Sequence, residues 1–305
     1  MSTLELEVLT ATPVPFSDDG SLLMDTYETM LARIAPHTQG VFVNGTTGEF
    51  PALEDRERSD LLEAAVAVFG ANKVVAHIGA PSARQVLRHA EAAAGMGITR
   101  MAALTPYYLP CDFPQVHEFY ATITQAFPEA ALFVYLFPER SGIDVTPEEL
   151  AEVTAIHGVE GAKLSGRPND QFERYVELAA PGSRVYSGDD GSYPRVAAAN
   201  GAGVVSGVSA AFPELFGQLT RALMSRPEDK AHIEAAQAQV SPAVQAVGPT
   251  ITRLKYALAA RYRERWGTRM PLPPVDEEVR DVIDALVGAI RASYFDLKKS
   301  GRGGA

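Results

Sequence analysis

Lys163 closes the run Val159-Glu160-Gly161-Ala162-Lys163, a short segment that reads as a strand buried on both faces. Lysine is seldom buried without a partner. Desolvation disfavours an ammonium and yields the free amine that a Schiff-base nucleophile requires. Upstream, the apolar run 130–134 ends in Tyr135 and continues as Leu-Phe-Pro-Glu-Arg-Ser-Gly. On neighbouring parallel strands these two runs would bring an amine and a phenol out together at their C-terminal ends, which suits carbonyl chemistry. Taken singly, each residue has a plainer fate. A strand-end lysine snorkels to solvent, and a buried tyrosine packs with its hydroxyl capped. Their joint placement in a repeated pattern is what points to chemistry.

The elements that must position them recur along the chain. Apolar, β-rich runs fall at 5–11, 40–44, 73–78, 99–104, 131–135, 159–163, 183–187 and 203–206. Helix-period segments follow them near 23–37, 54–70, 81–96, 112–127, 146–156, 168–180, 190–200 and 212–225. Thr146-Pro147-Glu148-Glu149 places a hydroxyl at the cap, proline in the first turn and glutamate three residues on. Pro81-Ser82 and Phe212-Pro213-Glu214 are weaker openings of the same kind. Eight β-then-α units with short connections imply a parallel sheet, and eight is the number that closes a barrel. The expected fold class is therefore α/β, a (β/α)8 TIM barrel over residues 1–226. Segments 233–247, 250–266 and 276–290 have apolar spacing of three and four without strands, predicting a C-terminal helical extension over 227–295. It would pack on the barrel or on a partner chain. The Gly-rich basic end, 296–305, reads as a flexible tail.

Composition narrows the function. The chain has 305 residues, 46% hydrophobic and 21% charged, an ordinary globular balance. A net charge of -11 argues against nucleic acid, whose partners present a basic face. One cysteine, Cys111, excludes an internal disulfide and fits a reducing cytosol. The N-terminus lacks the basic and apolar regions of a signal peptide, and no apolar run is long enough to span a membrane. A cytoplasmic location is the expectation. The six histidines are scattered without metal-ligand spacing, and Asp189-Asp190 alone is too thin for a metal site. Gly201-Ala202-Gly203 does not lead into a helix N-terminus, which disfavours a phosphate-binding barrel.

In an α/β barrel the chemistry sits on loops after the C-terminal ends of the strands. After the second strand comes Gly45-Thr46-Thr47-Gly48-Glu49: its glycines permit close approach, and its hydroxyls and amides can bind a carboxylate. In isolation it also reads as a bare turn. After the fourth comes Thr105-Pro106-Tyr107-Tyr108, a paired aromatic that either contacts a ligand or packs on the rim. The fifth delivers Tyr135 and then Arg140, whose fixed fork suits a carboxylate, although a surface ion pair is the commoner fate of a lone arginine. The sixth delivers Lys163. The seventh delivers Gly188-Asp189-Asp190, where an aspartate can also simply cap the next helix. One amine, several phenols, hydroxyls and an arginine fit carbon–carbon bond chemistry on a 2-oxo acid.

In order, the motifs are Gly-Thr-Thr-Gly-Glu at 45–49, Thr-Pro-Tyr-Tyr at 105–108, Tyr-x-x-Pro-x-Arg-Ser-Gly at 135–142, Gly-x-Lys at 161–163 and Gly-Asp-Asp at 188–190. Together they resemble the pyruvate-dependent class I aldolase family that contains dihydrodipicolinate synthase and N-acetylneuraminate lyase. The resemblance runs from Thr12-Pro13-Val14-Pro15-Phe16 to about Pro213, and more loosely through Arg269-Met270-Pro271-Leu272. It implies that Lys163 forms the Schiff base with pyruvate and that Tyr135 relays protons. It further implies that Thr46 links Tyr135 to Tyr108, which family tetramers supply across a subunit interface. Thr47 and its amide would hold the pyruvate carboxylate, and Arg140 matches the arginine that the synthase branch uses for its aldehyde's carboxylate. Gly188, Val205 and Tyr107 complete the implied substrate-binding set. No metal or other cofactor is implied, because the protonated imine is the electron sink. The partners would be a small 2-oxo acid and an aldehyde, and the assembly a homotetramer or homodimer.

The chain also departs from that family. Leu136 stands where asparagine usually follows the tyrosine, and Phe50-Pro51 replaces a serine-containing version. Arg58, Ser82 and Val86 occupy positions where lysine-inhibited synthases place His, Asn and Glu, so lysine inhibition is not expected. Ser206-Gly207-Val208-Ser209 lacks a common threonine, and Gly207 would widen the site. The reading is therefore a synthase acting on pyruvate and aspartate semialdehyde, with a 2-keto-3-deoxy sugar acid aldolase or N-acetylneuraminate lyase-like enzyme as the alternative. A binding or regulatory protein on a retired aldolase barrel is the non-enzyme alternative, disfavoured because the lysine and the tyrosine are both present.

Overall fold

The computed structural model describes residues 6–300, with side chains through 292. Eight strands are short apolar runs because parallel strands are covered on both faces. They are β1 (Glu7–Ala11), β2 (Gly40–Val43), β3 (Val74–His77), β4 (Arg100–Leu104), β5 (Ala131–Leu136), β6 (Val159–Leu164), β7 (Arg184–Ser187) and β8 (Gly203–Ser206). They close in sequence order, with β8 returning to pair in parallel with β1. The barrel is the one expected.

The barrel helices are α1 (Met24–Ile34), α2 (Asp55–Phe69), α3 (Ala83–Gly95), α4 (Phe113–Ala126), α5 (Pro138–Ser141), α6 (Pro147–Thr154), α7 (Phe172–Leu178), α8 (Tyr193–Ala198), α9 (Val208–Ala211) and α10 (Pro213–Ser225). The capping box at Thr146 forms: its hydroxyl accepts from Glu149 N at 3.2 Å while Glu149 Oε2 accepts from Thr146 N at 2.7 Å. Ser82 caps α3 through Gln85 N, and Pro213 opens α10. The one-turn helices α5 and α9 carry no periodic signal and are additions to the sequence reading.

The helical extension is α11 (Lys230–Val247), α12 (Ile251–Tyr262) and α13 (Glu277–Ser300). Helix α13 continues into the segment read as a tail, and 301–305 lie outside the described residues. Among the described residues no helix is long and apolar enough to cross a membrane.

Two apolar layers result. One lies between the strands and the helices and takes in the extension through Leu254 and Leu258. The other fills the barrel with Leu9, Phe42, Val75, Phe133, Tyr186 and Val205. At the N-terminal mouth Glu7 accepts from Arg100 and Arg184 at 2.9 and 2.8 Å, and from Tyr186 Oη, closing that end with charge. The open end is the other one.

Candidate active site

Strand β6 does not alternate regularly. Leu132 pairs with Val159 but Phe133 pairs with Gly161, so Glu160 is the extra residue of a β-bulge. Glu160 is exposed, which corrects the reading of this segment as buried on both faces. Val159, Ala162 and Leu164 all join the outer apolar layer. Simple alternation would have put Lys163 on the same face as Val159. The inserted residue resets the phase and turns Lys163 into the barrel, where it is 7% exposed. Gly161 makes this possible: its φ is +155°, and a Cβ there would stand 2.0 Å from Arg184 O. The Gly-x-Lys spacing is thus a bulge and its inward-turned product.

Tyr135 is directly opposite Lys163 in the β5–β6 register. The Lys163 amine lies 3.8 Å from the centroid of the Tyr135 ring and 4.9 Å from that of Phe42. Burial pushes the Tyr135 phenol up. The Lys163 charge and hydrogen bonds with Lys163, Thr46 and Ser165 outweigh it and hold the phenol below its ordinary value. Thr46 Oγ1 is 3.1 Å from Tyr135 Oη. It sits on a single 3₁₀ turn, Thr46–Gly48, directly after β2. The amine, phenol and hydroxyl are therefore contiguous at the C-terminal end of the barrel.

The other expected residues fall into two groups. Val205 is buried in the barrel interior close to Lys163 and Phe42. Gly188 packs tightly, its N–H donating to Leu164 O at 2.6 Å, and a Cβ there would meet Ser165 Oγ at 2.2 Å. Thr47 lies beside Gly207, whose missing Cβ would sit 3.5 Å from its methyl group. Tyr107 is half-buried with its ring edge-on to Phe50, centroids 6.0 Å apart. By contrast Tyr108 is 89% exposed with φ +82°, outside the Thr46–Tyr135 contact. Arg140 is exposed on α5, its guanidinium 5.5 Å from the Phe137 ring centroid. These two stand on the rim.

Some neighbours escaped sequence reasoning. His77 is buried edge-on to Tyr135, centroids 5.7 Å apart, and to Phe50 at 4.6 Å. Its Nδ1 donates to Asn44 O at 2.8 Å and its Nε2 accepts from Leu104 N at 3.3 Å. Burial and the nearby Arg58 and Lys163 charges hold this imidazole well below its ordinary value, so it is neutral. Asp190 is buried, accepting from Ser206 Oγ and from Val208 N at 3.2 Å. Burial and Asp189 raise its carboxyl to about 6 against those hydrogen bonds and Lys163. The Gly-Asp-Asp motif flagged the location, but which aspartate is buried depends on packing. Arg58 is also buried, donating to His77 O at 2.7 Å, so a cation occupies that position.

A closed eight-stranded parallel barrel with an amine, a phenol and a hydroxyl gathered at its C-terminal end has the architecture of a class I lyase. The sequence matches the dihydrodipicolinate synthetase family over residues 5–290, and the chain belongs to that family. It is accordingly a class I lyase of the aldolase type. It is 31% identical over 274 residues to an uncharacterised DapA-like lyase of Halobacterium salinarum, covering 88% of this chain and 89% of that one. It is 27% identical over 288 residues to the 4-hydroxy-tetrahydrodipicolinate synthase of a Cyanothece strain, covering 93% and 97%. A solved monomeric dihydrodipicolinate synthase variant superposes with a TM-score of 0.84 at 26% identity, covering 94% of this chain and 97% of that chain.

Proposed function

We propose that the enzyme joins pyruvate to an aldehyde that carries its own carboxylate, through a Schiff base on Lys163, as in the condensation of pyruvate with aspartate semialdehyde. The observation that supports this most is the contiguity of the Lys163 amine, the Tyr135 phenol and the Thr46 hydroxyl. The free amine of Lys163 adds to the pyruvate C2 carbonyl. Tyr135 delivers a proton to the carbinolamine oxygen, and water leaves to give the imine. Loss of a C3 proton gives the enamine, whose carbon attacks the aldehyde; the new alkoxide takes a proton, and water then releases the lysine. The Lys163 charge favours the Tyr135 phenolate, which takes up a proton from the ammonium as the amine is freed; the phenol so formed is the donor to the carbinolamine oxygen. Thr47 and its amide hold the pyruvate carboxylate. Arg140 and Tyr107 meet the second substrate at the rim, and Tyr108 acts from a neighbouring copy in a homodimer or homotetramer. The reaction needs no metal.

A second reading, cleavage of a 2-keto-3-deoxy sugar acid, draws on the space that Gly207 leaves beside Thr47 and on Phe50 at the site edge. Both substrates are acids, so Arg140 pairs with a carboxylate in either case.

Two measurements test this. Pyruvate followed by borohydride should leave a reduced adduct that peptide mapping places on Lys163 and that Lys163→Ala abolishes; an adduct elsewhere, or none, refutes the assignment. Steady-state kinetics with aspartate semialdehyde and with 2-keto-3-deoxygluconate should favour the semialdehyde at least about tenfold, or about 1.4 kcal/mol of transition-state discrimination. A preference of about tenfold for the sugar acid makes the second reading the correct one.

A further inference from the structure

The loop that carries Thr46 and Thr47 is held from an unexpected direction. It ends at Glu49, a non-glycine residue in the left-handed region with φ +54°, poised between two 3₁₀ turns. The Glu49 N–H donates to Thr46 O at 3.0 Å, so any shift of Glu49 moves the threonine that touches Tyr135. The Glu49 side chain points away from the barrel and is fully buried. One carboxylate oxygen accepts from Lys255 of α12, itself only 1% exposed. The other accepts from Arg269 N at 2.9 Å and Met270 N at 2.7 Å. Lys255 in turn donates to Gly267 O at 2.7 Å and lies 4.7 Å from the Phe16 ring centroid.

Burying both charges of a pair is costly, and an apolar pair of similar volume is often as stable. Stability alone therefore gives little reason for an ion pair here. What it does provide is direction. Three donors fix one carboxylate, and its backbone fixes Thr46. We infer that Glu49 and Lys255 are positioning residues through which the C-terminal helices set the geometry of the Thr46–Tyr135 contact and of the Thr47 amide, so that the extension is a working part of the active site. This inference rests on the Schiff-base reading.

The test uses the full chain and counts functional sites by borohydride-trapped pyruvate, so that rates are expressed per trapped site. Glu49→Gln preserves shape and both backbone hydrogen bonds but loses the ionic one; Lys255→Met removes the other partner. Each should lower kcat per trapped site by about ten- to a hundredfold and raise KM for pyruvate, the cost expected of a misplacement near 1 Å. The pH limb of kcat set by Tyr135 should move as well. Glu214→Gln is the control: it breaks a partly buried ion pair that Arg261 of the same helix makes at 2.6 Å, one that includes neither Glu49 nor Lys255. It should lower the melting temperature without altering per-site kinetics. If Lys255→Met does not fold, Glu49→Gln carries the same expectation alone. Per-site kcat, KM and pH limb within twofold of the parent in Glu49→Gln would overturn the inference, whatever the melting temperature does. A parent enzyme that traps no pyruvate would instead overturn the Schiff-base reading itself, a result visible before any variant is compared.

Discussion

Tyr135 is subject to two opposed influences, and the balance between them suits a proton carrier. Burial works against a phenolate, while the Lys163 ammonium and three hydrogen bonds favour it. Replacing the phenol with a phenyl ring removes only the oxygen. The ring's packing against Phe42 and His77, edge-on at 5.9 and 5.7 Å, is retained. Tyr135→Phe should therefore melt near the parent temperature and still trap pyruvate slowly. Its turnover should fall by about 10²–10⁴-fold, the usual worth of general acid–base help. Turnover close to the parent value would show that Tyr135 is packing alone.

At the level of the element, the β6 bulge explains why the sequence was only partly readable. The strands and helices were legible because apolar period and caps are local signals, and the Thr146 box formed as written. Lys163, Tyr135 and Thr46 were legible as strand-end residues once eight units had been counted. The direction in which Lys163 points was not, because one extra residue reverses a strand's faces and leaves no trace in composition. His77, Asp190 and the Glu49–Lys255 pair were hidden for a different reason: each acquires its meaning from a partner distant in the chain. A short strand with a neutral histidine looks like any other. Gly161→Ala tests the bulge directly. Its left-handed backbone alone should cost roughly 1–3 kcal/mol, and the clash with Arg184 O adds to it. Denaturant unfolding should show the loss, and borohydride trapping should show fewer competent lysines among the molecules that remain folded. An unaltered adduct yield would mean that the bulge does not aim the amine.

For the whole molecule, the two mouths of the barrel divide the work, chemistry at one and charge closure at the other. Burial pushes the Glu7 carboxyl up, but Arg100, the Tyr186 hydroxyl and Arg184 together hold it below its ordinary value. A carboxyl depressed by folding contributes stability above its unfolded pKa of about 4.3, and that contribution is lost as the pH falls toward the folded value. Glu7→Gln should therefore lower the melting temperature at pH 7, flatten its decline on acidification and bring the two proteins together near pH 3. Parallel curves would remove Glu7 from the acid transition. The same closure sets a timetable. Strand β1 pairs with β8, which lies at the far end of the barrel sequence. During synthesis one edge of Glu7–Ala11 can be covered early by β2, but the other must wait until residues 203–206 have been made. At ordinary elongation rates that interval is on the order of tens of seconds. For that time a nascent chain presents an open, apolar strand edge, the kind that recruits strands from other chains. Crowded translation is then a circumstance in which the open edge of this barrel can capture a neighbouring chain.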